Sequence, residues 1–115
     1  MTVSFRLQLR IYRDEEIALG PGKADLLAAI METGSISAAG RKMGMSYRRA
    51  WLLVDTMNRC FKSPVVESST GGKHGGGAQL TTFGEEILKL YRSVQVDTER
   101  QAESYFKKFK SFLAP

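Results

Sequence analysis

The chain is short of the residues from which most catalytic and metal sites are built. It has one histidine, His74, and one cysteine, Cys60, among 115 residues. A zinc site takes several such ligands, so a single chain of this composition cannot assemble one from histidine and cysteine. No Ser/His/Asp arrangement is suggested either. We therefore expect no enzyme, no metal site and no other cofactor.

Long apolar runs and disulfides are also missing. No apolar run approaches the roughly 18 residues of a membrane span, and no basic-then-apolar leader precedes a cleavage site. A single cysteine forms no intramolecular disulfide, which is typical of a reducing compartment. These features predict a cytoplasmic protein without a membrane partner, and the length suits one small domain.

The first third of the chain predicts a small β element followed by a helix. Residues 3–12 alternate between apolar and polar side chains, which predicts a half-buried strand, and residues 17–19 can return as its partner. After Gly20-Pro21-Gly22, residues 23–33 show helical spacing and end at Gly34. The side chains expected in the core from this helix are Leu26, Leu27, Ile30 and Met31.

The most informative stretch, residues 34–51, reads as a helix-turn-helix. Ser35 can cap a short helix over 35–43, Gly44 supplies a left-handed turn, and Ser46 can cap a second helix over 46–60. Gly40 fits a close helix crossing. Such a pair presents the start of its second helix to a DNA major groove. An ordinary helical hairpin with a solvated basic face is the alternative.

Net positive charge is concentrated in the same region. Residues 41–79 carry seven basic and two acidic residues, so this segment accounts for the whole net charge of +5. A basic patch attracts phosphates in a salt-dependent manner. The candidate phosphate contacts in and after the helix pair are Arg41, Lys42 and Lys62, and the candidate reading residues at the second helix start are Ser46, Tyr47, Arg48 and Arg49.

A glycine-rich loop over residues 68–77 lies between the short predicted strands 65–67 and 78–80. It lacks the spacing of a P-loop and of a dinucleotide-binding fingerprint. A hairpin directly after a recognition helix is a wing, whose backbone N–H groups approach phosphates. A flexible turn and an oxyanion-binding loop are the alternatives. The wing contacts we expect are Thr70, Gly71, Gly72, Lys73 and His74.

Amphipathic spacing predicts a long C-terminal helix from Phe83 to about Phe112, capped by Thr81 or Thr82. Its first apolar stripe, which the core can absorb, consists of Ile87, Leu90, Tyr91 and Val94. A second, aromatic stripe includes Tyr105, Phe106, Phe109 and Phe112. An apolar stripe beyond the core implies a partner surface, and we favour a homodimer contact. The alternative is that the helix bends back onto the N-terminal strand of the same chain.

Several motifs together resemble the N-terminal DNA-binding domain of ModE-type molybdate-responsive transcriptional regulators. They are Gly34-Ser35-Ile36-Ser37-Ala38-Ala39, Met45-Ser46-Tyr47-Arg48-Arg49-Ala50-Trp51, Met57-Asn58, Val65-Val66-Glu67, the glycine-rich segment 70–78 and Leu80-Thr81. The likeness covers roughly residues 5–95. It implies a dimeric winged helix-turn-helix that binds a palindromic operator, with residues 46–49 and Trp51 in or beside the recognition helix and Lys73 in the wing. We assign Trp51 to packing rather than to base reading.

The prediction is a mainly α fold with a small antiparallel β component, a winged helix-turn-helix with a long C-terminal helix. Residues 1–95 would form the DNA-binding domain and residues 96–115 a dimerisation element. Members of the family carry oxyanion-binding modules after this domain, whereas this chain ends at Pro115. Three alternatives follow for its regulation: it acts without an effector, it receives its signal through a partner, or it binds an oxyanion at another place. The alternative function is a protein-interaction module that uses a degenerate winged helix and the aromatic C-terminal helix.

Overall fold

A computed structural model describes residues 2–72 and 75–115, without the side chains of residues 70–72, 75 and 76. The elements are β1 (Ile11–Arg13), β2 (Glu16–Leu19), α1 (Pro21–Thr33), α2 (Ile36–Lys42), α3 (Tyr47–Cys60), β3 (Val66–Gly72), β4 (Gly75–Leu80) and α4 (Thr82–Phe112). The predicted fold class is confirmed: helices dominate, and the strands form two antiparallel pairs, β1 with β2 and β3 with β4.

Local sequence signals account for the helix boundaries. The hydroxyl oxygen of Ser35 accepts the N–H of Ala38 at 2.9 Å, and that of Thr81 accepts the N–H of Gly84 at 2.9 Å. α1 ends at Gly34, whose φ of 80° is the left-handed conformation that favours glycine. The predicted capping residues are therefore confirmed, with each helix starting one residue after its cap.

The core lies where α1, α2 and α3 meet β2, the base of the hairpin and the first turns of α4. Its fully buried large side chains are Leu19, Leu26, Leu27, Ile30, Met57 and Val65. The prediction that Met31 lies in the core is wrong, because its side chain is 52 % exposed. Cys60 is only half-buried and its Sγ lies 3.7 Å from a carboxylate oxygen of Glu16.

The predicted strand over residues 3–12 is wrong for most of its length. Only Ile11–Arg13 pair with β2, because β2 has four residues before the chain turns into α1 and offers no backbone to residues 2–10. That segment instead contacts α4. The phenol of Tyr91 donates a hydrogen bond to the carbonyl oxygen of Leu9 at 2.7 Å, and Phe5 stacks on Phe106 with ring centroids 4.6 Å apart.

The long C-terminal helix is confirmed, with one correction to its inner face. Gly84, Leu88 and Tyr91 are buried, whereas Leu90 is 64 % exposed. A helix turns about 100° per residue, so Leu90 lies a quarter-turn away from the side that Tyr91 presents to the core. The 31 residues of α4 make the molecule elongated, with extents of 56 × 30 × 24 Å.

Candidate nucleic-acid interface

The start of α3 is an exposed, capped helix end that carries three of the predicted reading residues. The hydroxyl oxygen of Ser46 accepts the N–H of Arg49 at 3.1 Å and thereby holds the first turn. Tyr47, Arg48 and Arg49 are exposed. In the part of the chain that the structure describes, neither arginine side chain forms an ion pair or a hydrogen bond, so their charge is available to a partner.

The helix before it sets the direction of α3. Gly40 of α2 lies against Ala50, and a Cβ at Gly40 would come within 3.2 Å of the Ala50 Cβ. Gly44, with a φ of 71°, makes the turn between the two helices. The close approach at Gly40 predicted from the sequence is therefore present, and it leaves the start of α3 projecting while its Ala50 and Val54 side is buried.

The other basic residues of this region differ in how far they are engaged. Arg41 donates from Nη1 to the hydroxyl of Ser37 at 2.9 Å, and Lys42 pairs with Glu32. Both lie on the surface, as does Lys62 beyond the end of α3. Exposed ion pairs of this kind are weak and exchange readily for another anion.

In the second half of α3, the positive charge of Arg59 is balanced by neighbouring carboxylates. The Arg59 guanidinium is held by Asp55 at 3.0 Å and by Glu16 of β2 at 3.1 Å. The hydrogen bonds that the guanidinium donates to these two carboxylates raise the pKa of Arg59 above its ordinary value, and the bond to Asp55 contributes most. Positive charge free to meet an anion is thus concentrated at the start of α3.

The β3–β4 hairpin is confirmed, and it is longer than predicted because the strands extend into the glycine-rich segment. Thr70, Gly71 and Gly72 have their backbone in β3. Lys73 and His74, the charged wing contacts predicted from the sequence, lie outside the described residues. The N–H of Ala78 donates to the carbonyl of Gly34 at 2.9 Å, which ties the hairpin to the junction between α1 and α2.

Asn58 is a positioning residue to which the sequence analysis gave no role. Its Oδ1 accepts the N–H groups of Val65 and Val66 at 2.8 and 3.2 Å, and its Nδ2 donates to the carbonyl of Val66 at 3.1 Å. One side chain therefore joins α3 to the first residue of the hairpin. The sequence contains one signal of this role, an asparagine inside a helical pattern. Asparagine has a poor intrinsic helix propensity, so its presence there indicates another use for its side chain.

Trp51 is only partly used in packing, contrary to the assignment made from the sequence. Its side chain is 45 % exposed. It lies beside an open depression of about 330 Å³ between α2, α3 and the hairpin, whose lining includes Tyr47, Ser68 and Gly77. Trp51 also lines a second depression of about 110 Å³, together with Asn58 and residues of β3.

The aromatic residues near the end of α4 divide into two groups. Phe106 stacks on Phe5 of the same chain, with planes 5° apart, as the alternative of contact with the N-terminal segment anticipated. Tyr105, Phe109 and Phe112 are 68, 60 and 73 % exposed and line one open apolar groove.

Two absences among the described residues bear on other kinds of site. Over residues 2–72 and 75–115, no three His, Cys, Asp or Glu side chains lie close enough together to hold a metal ion. Within those same ranges, no helix is long and apolar enough to cross a membrane.

Residues 23–85, more than half of the chain, match the model of a protein family. That family is described as bacterial regulatory helix-turn-helix protein, lysR family. The chain belongs to this family. The DNA-binding domain of the CbnR_DBD–DNA complex has the same fold, with a TM-score of 0.58 at 17 % identity over 76 % of this chain and 94 % of that one. ArgP from Mycobacterium tuberculosis gives a TM-score of 0.53 at 20 % identity over 74 % of this chain and 30 % of its own.

Sequence relatives narrow the class. The molybdenum-pterin-binding protein MopB of Rhodobacter capsulatus is 44 % identical over 77 % of this chain and 33 % of its own length. The transcriptional regulator ModE of Yersinia pestis is 40 % identical, and the DNA-binding transcriptional dual regulator ModE of Escherichia coli K12 is 37 % identical, each over 77 % of this chain and 32 % of its own. The chain is a DNA-binding helix-turn-helix domain that matches the N-terminal part of ModE-type transcriptional regulators and spans about a third of their length. The resemblance stated from the motifs is confirmed.

Proposed function

We propose that this chain binds a specific double-stranded DNA sequence by placing the start of α3 in the major groove. The observation that carries the proposal is the pair Arg48 and Arg49, exposed and unpaired among the described residues, on the first turn of a helix capped by Ser46. Tyr47, Arg48 and Arg49 would reach base edges, with an arginine favouring guanine because its two donors match O6 and N7.

The remaining basic residues would hold the phosphates on either side of that groove. Arg41, Lys42 and Lys62 are exposed around the helix pair, and the weak exposed pair between Lys42 and Glu32 would open in favour of a phosphate. The hairpin would act as the wing, and its tie to Gly34 supports a fixed position beside α3. Its contacts would come from Thr70, Gly71, Gly72, Lys73 and His74.

We also propose that two copies associate and read a palindromic site. The groove of Tyr105, Phe109 and Phe112 near the end of α4 is apolar and exposed, and a second copy would cover it. Residues 96–115 would then be the dimerisation element and residues 1–95 the DNA-binding domain. Phe106 would stabilise this element within each copy, because it stacks on Phe5 of the same chain. A two-fold dimer presents two reading helices to half-sites about one helical turn apart.

The biological setting follows from the relatives. Three relatives carry names that refer to molybdenum or to transcriptional regulation, and these suggest control of molybdate-related genes from the cytoplasm. Transcriptional regulators of this type are not enzymes. The chain spans only about a third of those proteins, so the response of a whole regulator to an effector is outside this proposal.

The deciding experiment is selection of bound duplexes from a random library at moderate salt, read by sequencing. Enrichment of a palindrome would support a sequence-specific dimer and supply its operator. Repetition at several salt concentrations should show binding that weakens steeply as salt rises. A folded protein that enriches no sequence and shows no salt-sensitive duplex binding would refute the proposal in favour of a protein-interaction module.

A further inference from the structure

Trp51 is the only tryptophan of the chain and occupies the second turn of α3. Its neighbours Ala50 and Val54 are buried at 0 and 5 % exposure, whereas Trp51 is 45 % exposed. Nearly half of the largest apolar side chain on the proposed reading helix is therefore free of the core. Packing explains the covered part of the ring and leaves the exposed part without a role.

The position of Trp51 on the helix places it with the reading residues. At about 100° per residue, it lies about 40° around the helix axis from Tyr47 and about 60° from Arg48, between the two. It also lines the depression that separates α3 from the hairpin, together with Ser35, Ser37 and Ser68. Hydroxyl groups suit the sugar and phosphate oxygens that border a groove, and the indole is an apolar group beside them.

In the major groove, the edges of the base pairs present hydrogen-bond donors and acceptors, with one exception. The C5 methyl group of thymine is the apolar feature that a base pair presents there. We propose, as a deepening of the DNA-binding function on which it rests, that Trp51 packs against a thymine methyl group and thereby selects a T·A pair at one position of each half-site. Trp51 is then a specificity-determining residue beside the polar contact of Arg48.

The test removes the methyl group from the DNA and the ring from the protein in turn. Starting from the selected operator, each thymine is replaced by uracil, which lacks only the C5 methyl group. For the unmodified protein, binding should weaken about fourfold at one position of each half-site, as expected for one buried methyl-sized group of about 0.8 kcal/mol. For Trp51→Ala, the thymine and uracil duplexes should bind equally well at that position.

Leu52 supplies the matched control. It is the adjacent apolar residue of α3 and is 46 % exposed, but it does not line the depression. Leu52→Ala should keep the fourfold preference for thymine over uracil. The proposal is overturned if Trp51→Ala keeps that preference, or if Leu52→Ala loses it instead.

Fluorescence of the unmodified protein gives an independent result if Trp51→Ala does not fold. All indole emission comes from Trp51. Binding of the thymine operator should shift the emission to shorter wavelength, because the ring leaves water, and the uracil duplex should give a smaller shift. Equal emission with both duplexes overturns the assignment. If the library selection enriches no sequence, it is the DNA-binding proposal that fails, and this inference falls with it.

Discussion

Arg48 and Arg49 have no side-chain ion-pair or hydrogen-bond partner among the described residues, whereas Arg59 on the same helix is held by two carboxylates. Charge that is already compensated within the protein gives little attraction to a phosphate or a base. The distinction between free and engaged arginines therefore separates the proposed reading end of α3 from its other end.

Replacement of Arg48 or Arg49 by alanine should weaken binding to the selected operator by about 1–3 kcal/mol and relax its sequence preference. Arg41→Ala serves as the comparison, since a phosphate contact carries no sequence information and its loss should weaken binding to all duplexes alike. Binding-site libraries read for each variant provide the measurement. Unchanged selectivity in both Arg48→Ala and Arg49→Ala would refute their assignment as base contacts.

Among the glycines whose surroundings the structure describes, Gly84 has the least room for a methyl group. A Cβ there would lie 2.0 Å from the carbonyl oxygen of Val65, so either α4 or the strand start must shift. We expect Gly84→Ala to lower the free energy of unfolding by about 3 kcal/mol. Gly22→Ala is the control, because a Cβ at Gly22 meets nothing within 4 Å and the change favours helix α1. Urea unfolding of both variants tests this, and equal stability would contradict the close approach.

Asn58 connects the start of the hairpin to α3, in addition to the backbone hydrogen bond that joins Ala78 of the hairpin to Gly34. Asn58→Ala removes three hydrogen bonds to Val65 and Val66. We expect a loss of about 2 kcal/mol of stability, because the backbone groups at the strand start lose their partners. Operator affinity should fall as well, since the wing is no longer held beside the reading helix.

Thr56→Ala is the matched control for Asn58, because the hydroxyl of Thr56 donates within α3 to Leu52. It should leave the stability nearly unchanged. Thermal unfolding and operator binding of both variants give the comparison. If Asn58→Ala is as stable as Thr56→Ala, the hairpin is held by other contacts and the role assigned to Asn58 is wrong.

The N-terminal segment is attached to α4 through the phenol of Tyr91. Burial raises the pKa of Tyr91 above its ordinary value of 10.0. The neutral phenol is therefore favoured in the folded state, so its contribution is complete below about pH 10 and is lost as the pH rises through the folded-state pKa. We expect Tyr91→Phe to cost about 1 kcal/mol at pH 7, the value of one hydrogen bond.

The alkaline decline should be smaller in Tyr91→Phe than in the unmodified protein, since the variant has no phenol at this position. Tyr12→Phe, at a residue that is 58 % exposed, should behave like the unmodified protein. Urea unfolding at pH 7 and above pH 10 measures both effects. A Tyr91→Phe curve that coincides with that of the unmodified protein at both pH values would contradict the role of this hydrogen bond.

The molecule as a whole is elongated because α4 continues well beyond the core, and the proposed dimer would use that extension. Phe109→Glu combined with Phe112→Glu should convert the protein to a monomer in sedimentation experiments, because charge would then lie in an apolar contact. Binding to a full palindrome should fall to the affinity of a half-site.

Leu90→Glu is the control for the dimer. Leu90 is an apolar residue of the same helix, is 64 % exposed and lies outside the aromatic groove. Its substitution should leave the oligomeric state unchanged. A double variant that still sediments as a dimer would show that another surface joins the two copies.

Local chemistry was sufficient to predict the helices, their caps and the hairpin. Ser35, Ser46 and Thr81 cap because their hydroxyls can accept a backbone N–H two or three residues later, and Gly34 ends a helix because it adopts a positive φ. The exposed basic start of α3 followed from the same local pattern. These features depend on neighbours along the chain, which the sequence itself supplies.

Contacts between distant residues could not be predicted in the same way. Alternation in residues 3–12 indicates one apolar face, but whether a strand or a helix covers that face depends on how long β2 is and where α4 runs. The engagement of Arg59 by Glu16, the anchoring of the hairpin by Asn58 and the exposure of Trp51 each depend on packing between elements. The sequence by itself determined which elements form and where the charge lies. Tertiary structure alone decided which of the charged and aromatic side chains are left without a partner, because that is settled by the elements brought against them.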